Sequence, residues 1–186
     1  MKSLNLTKKY LLAETAFAVF EIIFGLLSSS MAMNLLGLYS IVSAYCVASV
    51  EIFPKNKAAN VGFLALGLIS LVTAWLAAYS TYLTIGYADV AVKLWGLIPP
   101  IIVIFAKLCL KILYSEEEEV TQKAEIYEEL VDYKFDLILV ISAVLGIFLT
   151  FVFDFYVEYI VTAGIALCCV RKLLIASKMR KAAAKN

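Results

Sequence analysis

The sequence contains no histidine, and only 17% of its 186 residues are charged. Without histidine, the chain lacks the commonest protein metal ligand and the side chain that usually transfers protons near neutral pH. It also lacks the G-x-S-x-G nucleophile elbow that exposes a catalytic serine in many hydrolases. These absences argue against an enzyme.

Cysteine is scarce, and the four that occur all lie within apolar stretches. No two of them have C-x-x-C spacing, so neither a disulfide framework nor a zinc knuckle is indicated. We interpret them as small packing residues. A formal net charge of +1 also provides no basic face of the kind that nucleic-acid binding needs. The cysteines are Cys46, Cys109, Cys168 and Cys169.

Apolar side chains make up 63% of the chain, and its mean hydropathy is +0.93. Soluble domains are only roughly half apolar. A helix needs about 20 mostly apolar residues to cross the hydrocarbon of a bilayer. The sequence therefore predicts an all-α integral membrane protein with six transmembrane helices. The predicted spans are about 10–28, 31–53, 58–82, 94–114, 130–153 and 156–175.

The charged residues concentrate between the predicted spans. An acidic cytoplasmic connection is expected at 115–129 and a basic cytoplasmic tail at 176–186. Lysine and arginine favour one side of the bundle, and Lys93 alone is basic on the other. Because basic loops remain in the cytoplasm, we expect both termini on the cytoplasmic side of the cytoplasmic membrane, in contact with lipid. Two prolines, Pro99 and Pro100, predict a kink inside the fourth span.

Two aspartates, Asp132 and Asp136, stand four residues apart at the start of the fifth span. This spacing places them on one helix face. A carboxylate at membrane depth is costly and usually marks an ion or proton path. Oxygen ligands suit Mn²⁺, Mg²⁺ or Ca²⁺ better than Zn²⁺. The alternative is that both lie at the membrane edge, because the uninterrupted apolar run begins only at Leu137.

Three segments, taken in order, resemble the cation diffusion facilitator family. Residues 17–43 contain Glu21, a Gly-Leu-Leu triplet and a turn of three serines before the second span. Residues 132–146 read DYKFDLILVISAVLG, and the D-x-K-x-D form is most similar to the manganese-type branch. Residues 158–174 read EYIVTAGIALCCVRKLL and resemble the family's sixth span. The resemblance implies a cation-diffusion-facilitator-like bundle that works as a homodimer and exchanges a divalent cation for protons.

Members of this family hold the transported metal between a ligand pair on the second span and a pair on the fifth. The resemblance places the fifth-span pair on Asp132 and Asp136 and the second-span pair on Tyr39 and Ser43. Neither Tyr39 nor Ser43 is a good ligand for Zn²⁺ or Mn²⁺. The candidate metal site is therefore a reduced carboxylate site of Asp132 and Asp136, to which Tyr39, Ser43, Ser40 and Glu21 contribute.

These features support a divalent-cation transporter that exchanges Mn²⁺, Mg²⁺, Ca²⁺ or Zn²⁺ for protons. A second hypothesis is a transport-inactive membrane subunit or assembly partner that keeps the fold. The unmatched second-span ligands favour it, as does the lack of a counterpart to the family's cytoplasmic C-terminal domain. A third hypothesis, the substrate-binding membrane subunit of a vitamin or metal importer, ranks last because no motif for coupling to an ATPase is present.

Overall fold

A computed structural model describes residues 2–56, 58–84, 97–118, 133–153 and 157–183. Within these residues the chain forms α-helices and no strand, which confirms the predicted all-α class. Asp132 and most of the predicted acidic connection lie outside the described residues. The helices are α1 (Lys2–Ser28), α2 (Met31–Glu51), α3 (Ala59–Thr84), α4 (Ile98–Glu118), α5 (Tyr133–Phe153) and α6 (Val157–Ala183).

Five of these helices are long and apolar enough to cross a membrane, as expected of an integral membrane protein. The apolar segment of α4, Ile98–Cys109, is shorter than those of the other five helices. The predicted fourth span begins at residue 94, before the described part of this helix. Pro99 and Pro100 occupy the first turn of α4. The first turn of a helix needs no hydrogen bonds from these amide nitrogens, so the prolines fit the described start of α4. Residues 85–96 lie outside the described part of the chain, so the kink inside the fourth span stays a prediction. The five segments are Thr7–Ser28, Met31–Glu51, Ala59–Ala77, Phe135–Val152 and Val157–Ala182.

The bundle is built around α2. Its span is 61% buried, against 11% for that of α3, so α2 lies at the centre and α3 at the edge. Helix α1 packs along α2, α6 packs against α2, α3 and α5, and α4 lies against α5 and α1. Large apolar side chains cover the outside, Leu12 (75% exposed) and Trp75 (63%) among them. Such an apolar exterior suits lipid as the surrounding solvent.

Helix α1 presents its polar side to the protein interior. Its buried positions recur at intervals of three and four residues, the spacing that aligns side chains on one helix face. Most of these positions carry polar side chains, whereas most of the exposed positions between Leu12 and Leu27 are apolar. The buried positions are Thr7, Tyr10, Glu14, Ala18, Glu21, Gly25 and Ser28.

The serine turn between α1 and α2 is fixed by a carboxylate from α6. Ser29 adopts a left-handed backbone conformation with φ 59°. Ser30 is the N-cap of α2, and its Oγ accepts a hydrogen bond from the Met33 amide at 3.2 Å. Glu158 Oε1 accepts from Ser30 Oγ at 2.6 Å and from the Ala32 amide at 3.0 Å. An anion at the positive end of the helix dipole is stabilising, so Glu158 anchors α6 to the start of α2.

The close approach of α1 to α2 depends on Gly25. A Cβ added there would lie 2.7 Å from the Asn34 backbone nitrogen. We predict that Gly25→Ala lowers the free energy of unfolding by about 1–3 kcal/mol, because the backbone of α2 must shift. Gly164→Ala is the matched control, since no atom lies within 4 Å of a Cβ there. This control should raise stability by up to about 1 kcal/mol through helix propensity. Thermal unfolding in detergent micelles measures both, and equal effects would contradict the packing assignment.

Candidate functional site

Two of the second-span positions singled out by sequence, Tyr39 and Ser43, lie on the buried face of α2. They are 2% and 0% exposed. Their spacing of four residues aligns them on one side of the helix. Asp136 of α5 is 1% exposed and meets them there, with Tyr39 Oη donating a hydrogen bond to Asp136 Oδ1 at 2.6 Å. The structure thus brings together three of the predicted site residues.

A fourth group, the ammonium of Lys172 on α6, occupies the centre of this arrangement. Its Nζ donates to Ser43 Oγ at 2.6 Å and to Tyr39 Oη at 3.2 Å. The same nitrogen lies 3.4 Å from Asp136 Oδ1 and 4.6 Å from the centroid of the Tyr39 ring. We name these four residues, Tyr39, Ser43, Asp136 and Lys172, the lysine cluster. Within it the protein's own cation faces the candidate cation ligands.

Lys172 is the site residue that the sequence prediction missed. Lysine and arginine near the end of a span are ordinarily flanking charges. The sequence signal for Lys172 is its helical register, because it follows Glu158 by fourteen residues, or two heptads. Both residues therefore lie on the face of α6 that packs inward. Glu158 is likewise buried, at 2% exposure.

The lysine cluster lies deep within the bundle. At about 1.5 Å of rise per residue, Lys172 stands about 22 Å along α6 from Val157. Ser43 lies about 18 Å along α2 from Met31 by the same measure. Asp136 is near the beginning of α5, but α2 and α6 both continue past the cluster and cover it. Its carboxylate is therefore enclosed by protein and is not a solvated group at the helix end.

A second polar cluster lies next to the first, between α1, α2 and α4. Lys107 Nζ is 3.4 Å from Glu14 Oε1 and 5.1 Å from the Phe17 ring centroid. Ser40 Oγ donates to Glu21 Oε2 at 2.9 Å. Glu14 and Glu21 each retain one buried carboxylate oxygen that has no hydrogen-bond partner. The predicted contributors Ser40 and Glu21 thus pair with each other rather than with the lysine cluster.

The charges of the two clusters act on one another. Glu21 lies within electrostatic reach of Lys107 and Asp136, and Asp136 within reach of Lys107 as well as Lys172. Among the described residues no group of three or more histidine, cysteine, aspartate or glutamate side chains could hold a metal ion. The two clusters together form a buried network of three carboxylates and two ammonium groups.

Comparison of the chain with protein-family models, curated proteins and solved structures found no match.

The ion pair of the lysine cluster predicts a specific pattern of stability changes. Lys172→Met should lower the free energy of unfolding by about 3–5 kcal/mol, because it leaves the buried Asp136 carboxylate unpaired. Adding Asp136→Leu should recover most of this loss, since replacing both partners of a buried pair by apolar groups is often neutral. The exposed Lys178→Met is the matched control and should be nearly silent. A double-mutant cycle from thermal unfolding in detergent measures the coupling, and strict additivity would contradict a direct pair.

Proposed function

We propose that this chain is a cation transporter of the cation-diffusion-facilitator type, in which Asp136, Tyr39 and Ser43 bind the cargo and Lys172 is the cation that the cargo displaces. The observation that carries the proposal is the ammonium of Lys172, held by all three candidate ligands at 2.6–3.4 Å. A set of ligands that stabilises a cation at this depth is the chemical requirement for an intramembrane cation site.

Displacement of Lys172 links the cargo to the position of α6. When a cation binds to Asp136, the nearby ammonium is repelled and loses its attractive partner. An unpaired charge in the bundle interior is costly, so Lys172 must withdraw from the site together with α6. When the cargo leaves, the ammonium returns to Asp136 and closes the pair again. Exchange of the cargo for protons is what the resemblance to cation diffusion facilitators implies.

The cost of the buried charges favours this function over a purely structural role. Ionised groups removed from water lose several kcal/mol of solvation each, and apolar replacements of similar volume are often as stable or more so. The two clusters contain the ionisable groups Glu14, Glu21, Lys107, Asp136 and Lys172. A structural role requires only the pair that fixes helix register, whereas the second cluster adds three further buried ionisable groups.

A second candidate function rests on the same lysine. If the Lys172 ammonium never leaves Asp136, the cation site is permanently closed, and the chain is a transport-inactive membrane subunit or assembly partner. The two candidates differ in one property, which is whether a free cation competes with Lys172. A flux measurement separates them.

Reconstituted vesicles with a pH-sensitive dye inside provide the test. We predict that an imposed cation gradient moves protons in the opposite direction, and that Asp136→Asn abolishes this movement because the cargo loses its only charged ligand in the described part of the site. Lys172→Gln should change the cation flux, because its neutral amide no longer competes with the cargo for Asp136. Lys178→Gln is the control and should behave as the unsubstituted protein.

Two results would contradict the proposal. Unchanged flux in Asp136→Asn would show that the site is misassigned. No flux of ammonium, Na⁺, K⁺, Mn²⁺ or Mg²⁺ in the unsubstituted protein, together with a stoichiometric partner in native-membrane purification, would favour the assembly role. Melting temperatures of each variant in the same vesicles separate loss of fold from loss of transport.

A further inference from the structure

The ligands of the lysine cluster carry a combined charge of −1. Asp136 provides one carboxylate, whereas Tyr39 and Ser43 provide neutral hydroxyl groups. The Lys172 ammonium carries +1, so the pair is neutral as it stands. Among these three direct ligands alone, a doubly charged cation in place of the ammonium would leave an excess positive charge, which the bundle interior penalises. The charge balance of the described ligands therefore fits a singly charged cation.

The geometry around Lys172 is that of an ammonium site. Its contacts with Ser43 and Tyr39 are at hydrogen-bond lengths of 2.6 and 3.2 Å, and its contact with Asp136 is at 3.4 Å. Oxygen ligands of Mg²⁺ and Ca²⁺ stand closer, at about 2.0–2.6 Å, and are commonly six or more in number. Three converging oxygens at longer range match the three donors of an alkylammonium instead.

The aromatic face of Tyr39 adds a second recognition element. Lys172 Nζ lies 4.6 Å from the ring centroid, within the range at which an aromatic quadrupole attracts a cation. Such attraction strengthens when the cation is desolvated, as it is here with Lys172 only 8% exposed. Tightly hydrated divalent ions part with water reluctantly and gain less from a ring face. The ring therefore favours a weakly hydrated, singly charged ligand.

One ligand position remains available at the same site. Asp136 Oδ2 is buried and has no hydrogen-bond partner. Buried carboxylate oxygens are ordinarily satisfied, so an unused acceptor in a cation site indicates room for a further donor. Free ammonium has four N–H donors, one more than the lysine side chain. It could bond to this oxygen as well as to the three groups that already hold Lys172.

We infer that the cargo of this site is a singly charged, ammonium-like cation rather than a divalent metal ion. The ligand set of Asp136, Tyr39 and Ser43 recognises it by one carboxylate, two hydroxyl groups and one aromatic face. That the bound cation is a cargo rests on the proposed function, whereas the preference for this class of cation is a property of the ligands. It departs from the divalent cation expected from sequence and is drawn from the described ligands alone.

Chemical rescue of a Lys172→Ala variant tests the ligand class. Alanine keeps Cβ, so the part removed has the size and charge of propylammonium. We expect propylammonium, and more weakly ammonium, to raise the melting temperature of Lys172→Ala, while Mn²⁺ and Mg²⁺ at equal ionic strength leave it unchanged. The rescue should be lost in Lys172→Ala/Asp136→Asn and absent from the unsubstituted protein and from Lys178→Ala.

Adding Tyr39→Phe to Lys172→Ala separates the contribution of the Tyr39 hydroxyl to propylammonium binding from that of the ring. Rescue should weaken but persist, because the ring face is kept. If Lys172→Ala does not fold on its own, the readout becomes the yield of monodisperse protein purified with and without propylammonium. Rescue of that yield supports the same ligand class, and failure of propylammonium to change it counts against the inference.

Stabilisation of Lys172→Ala by Mn²⁺ or Mg²⁺ at lower concentrations than propylammonium would overturn the inference. So would propylammonium rescue that survives Asp136→Asn. The result is separable from the proposed transport. Rescue without cation flux in the unsubstituted protein would retain the ligand class and reject the transporter, whereas proton-coupled Mn²⁺ flux without rescue would do the reverse.

Discussion

The ion pair between Lys172 and Asp136 is the interaction on which the interior of this bundle depends. Two charges removed from water are tolerable only when their attraction and additional hydrogen bonds offset the lost solvation. Tyr39 and Ser43 supply those hydrogen bonds from a third helix. Helices α2, α5 and α6 must therefore meet at one depth, and the register of each is fixed by a polar atom as well as by apolar packing. Van der Waals packing alone would specify such a register less sharply in lipid, where no hydrophobic force drives helices together.

Helix α6 holds α2 along its whole length through three polar contacts. Glu158 binds the amino end of α2, and Lys172 contacts its middle. Beyond its carboxyl end, Arg180 donates to the Pro54 carbonyl at 3.1 Å and to Asn60 Oδ1 at 2.6 Å. Glu158, Lys172 and Arg180 are thus buried at three levels of α6, beside apolar residues such as Ile165 and Leu173. A displacement of α6 would have to disturb all three contacts, so the state of the central pair is linked to the position of the helix.

The sequence predicted the all-helical class and five apolar helices long enough to cross a membrane, for physical reasons. Length and hydropathy determine whether a segment can cross a bilayer. Asp136 was predicted from its spacing with Asp132 at the start of an apolar span, and Tyr39 and Ser43 from a resemblance to a family pattern. Lys172 and Glu158 were not, because a charge near the end of an apolar run is ordinarily solvated, and hydropathy carries no information about which neighbouring helix extends past it. Their burial follows from the lengths of α2 and α6 in three dimensions, which the linear pattern does not give.

A tethered cation changes what a carboxylate site can select. An open site chooses among ions by cavity size and ligand number, whereas a site that already contains an ammonium first requires the entering ion to compete with it. Lys172 cannot diffuse away, so its effective concentration at Asp136 is far above that of any free ion. Competition succeeds only if binding of the entering ion is linked to movement of α6. An internal lysine of this kind therefore makes movement of its helix a condition for occupancy of the carboxylate by another cation.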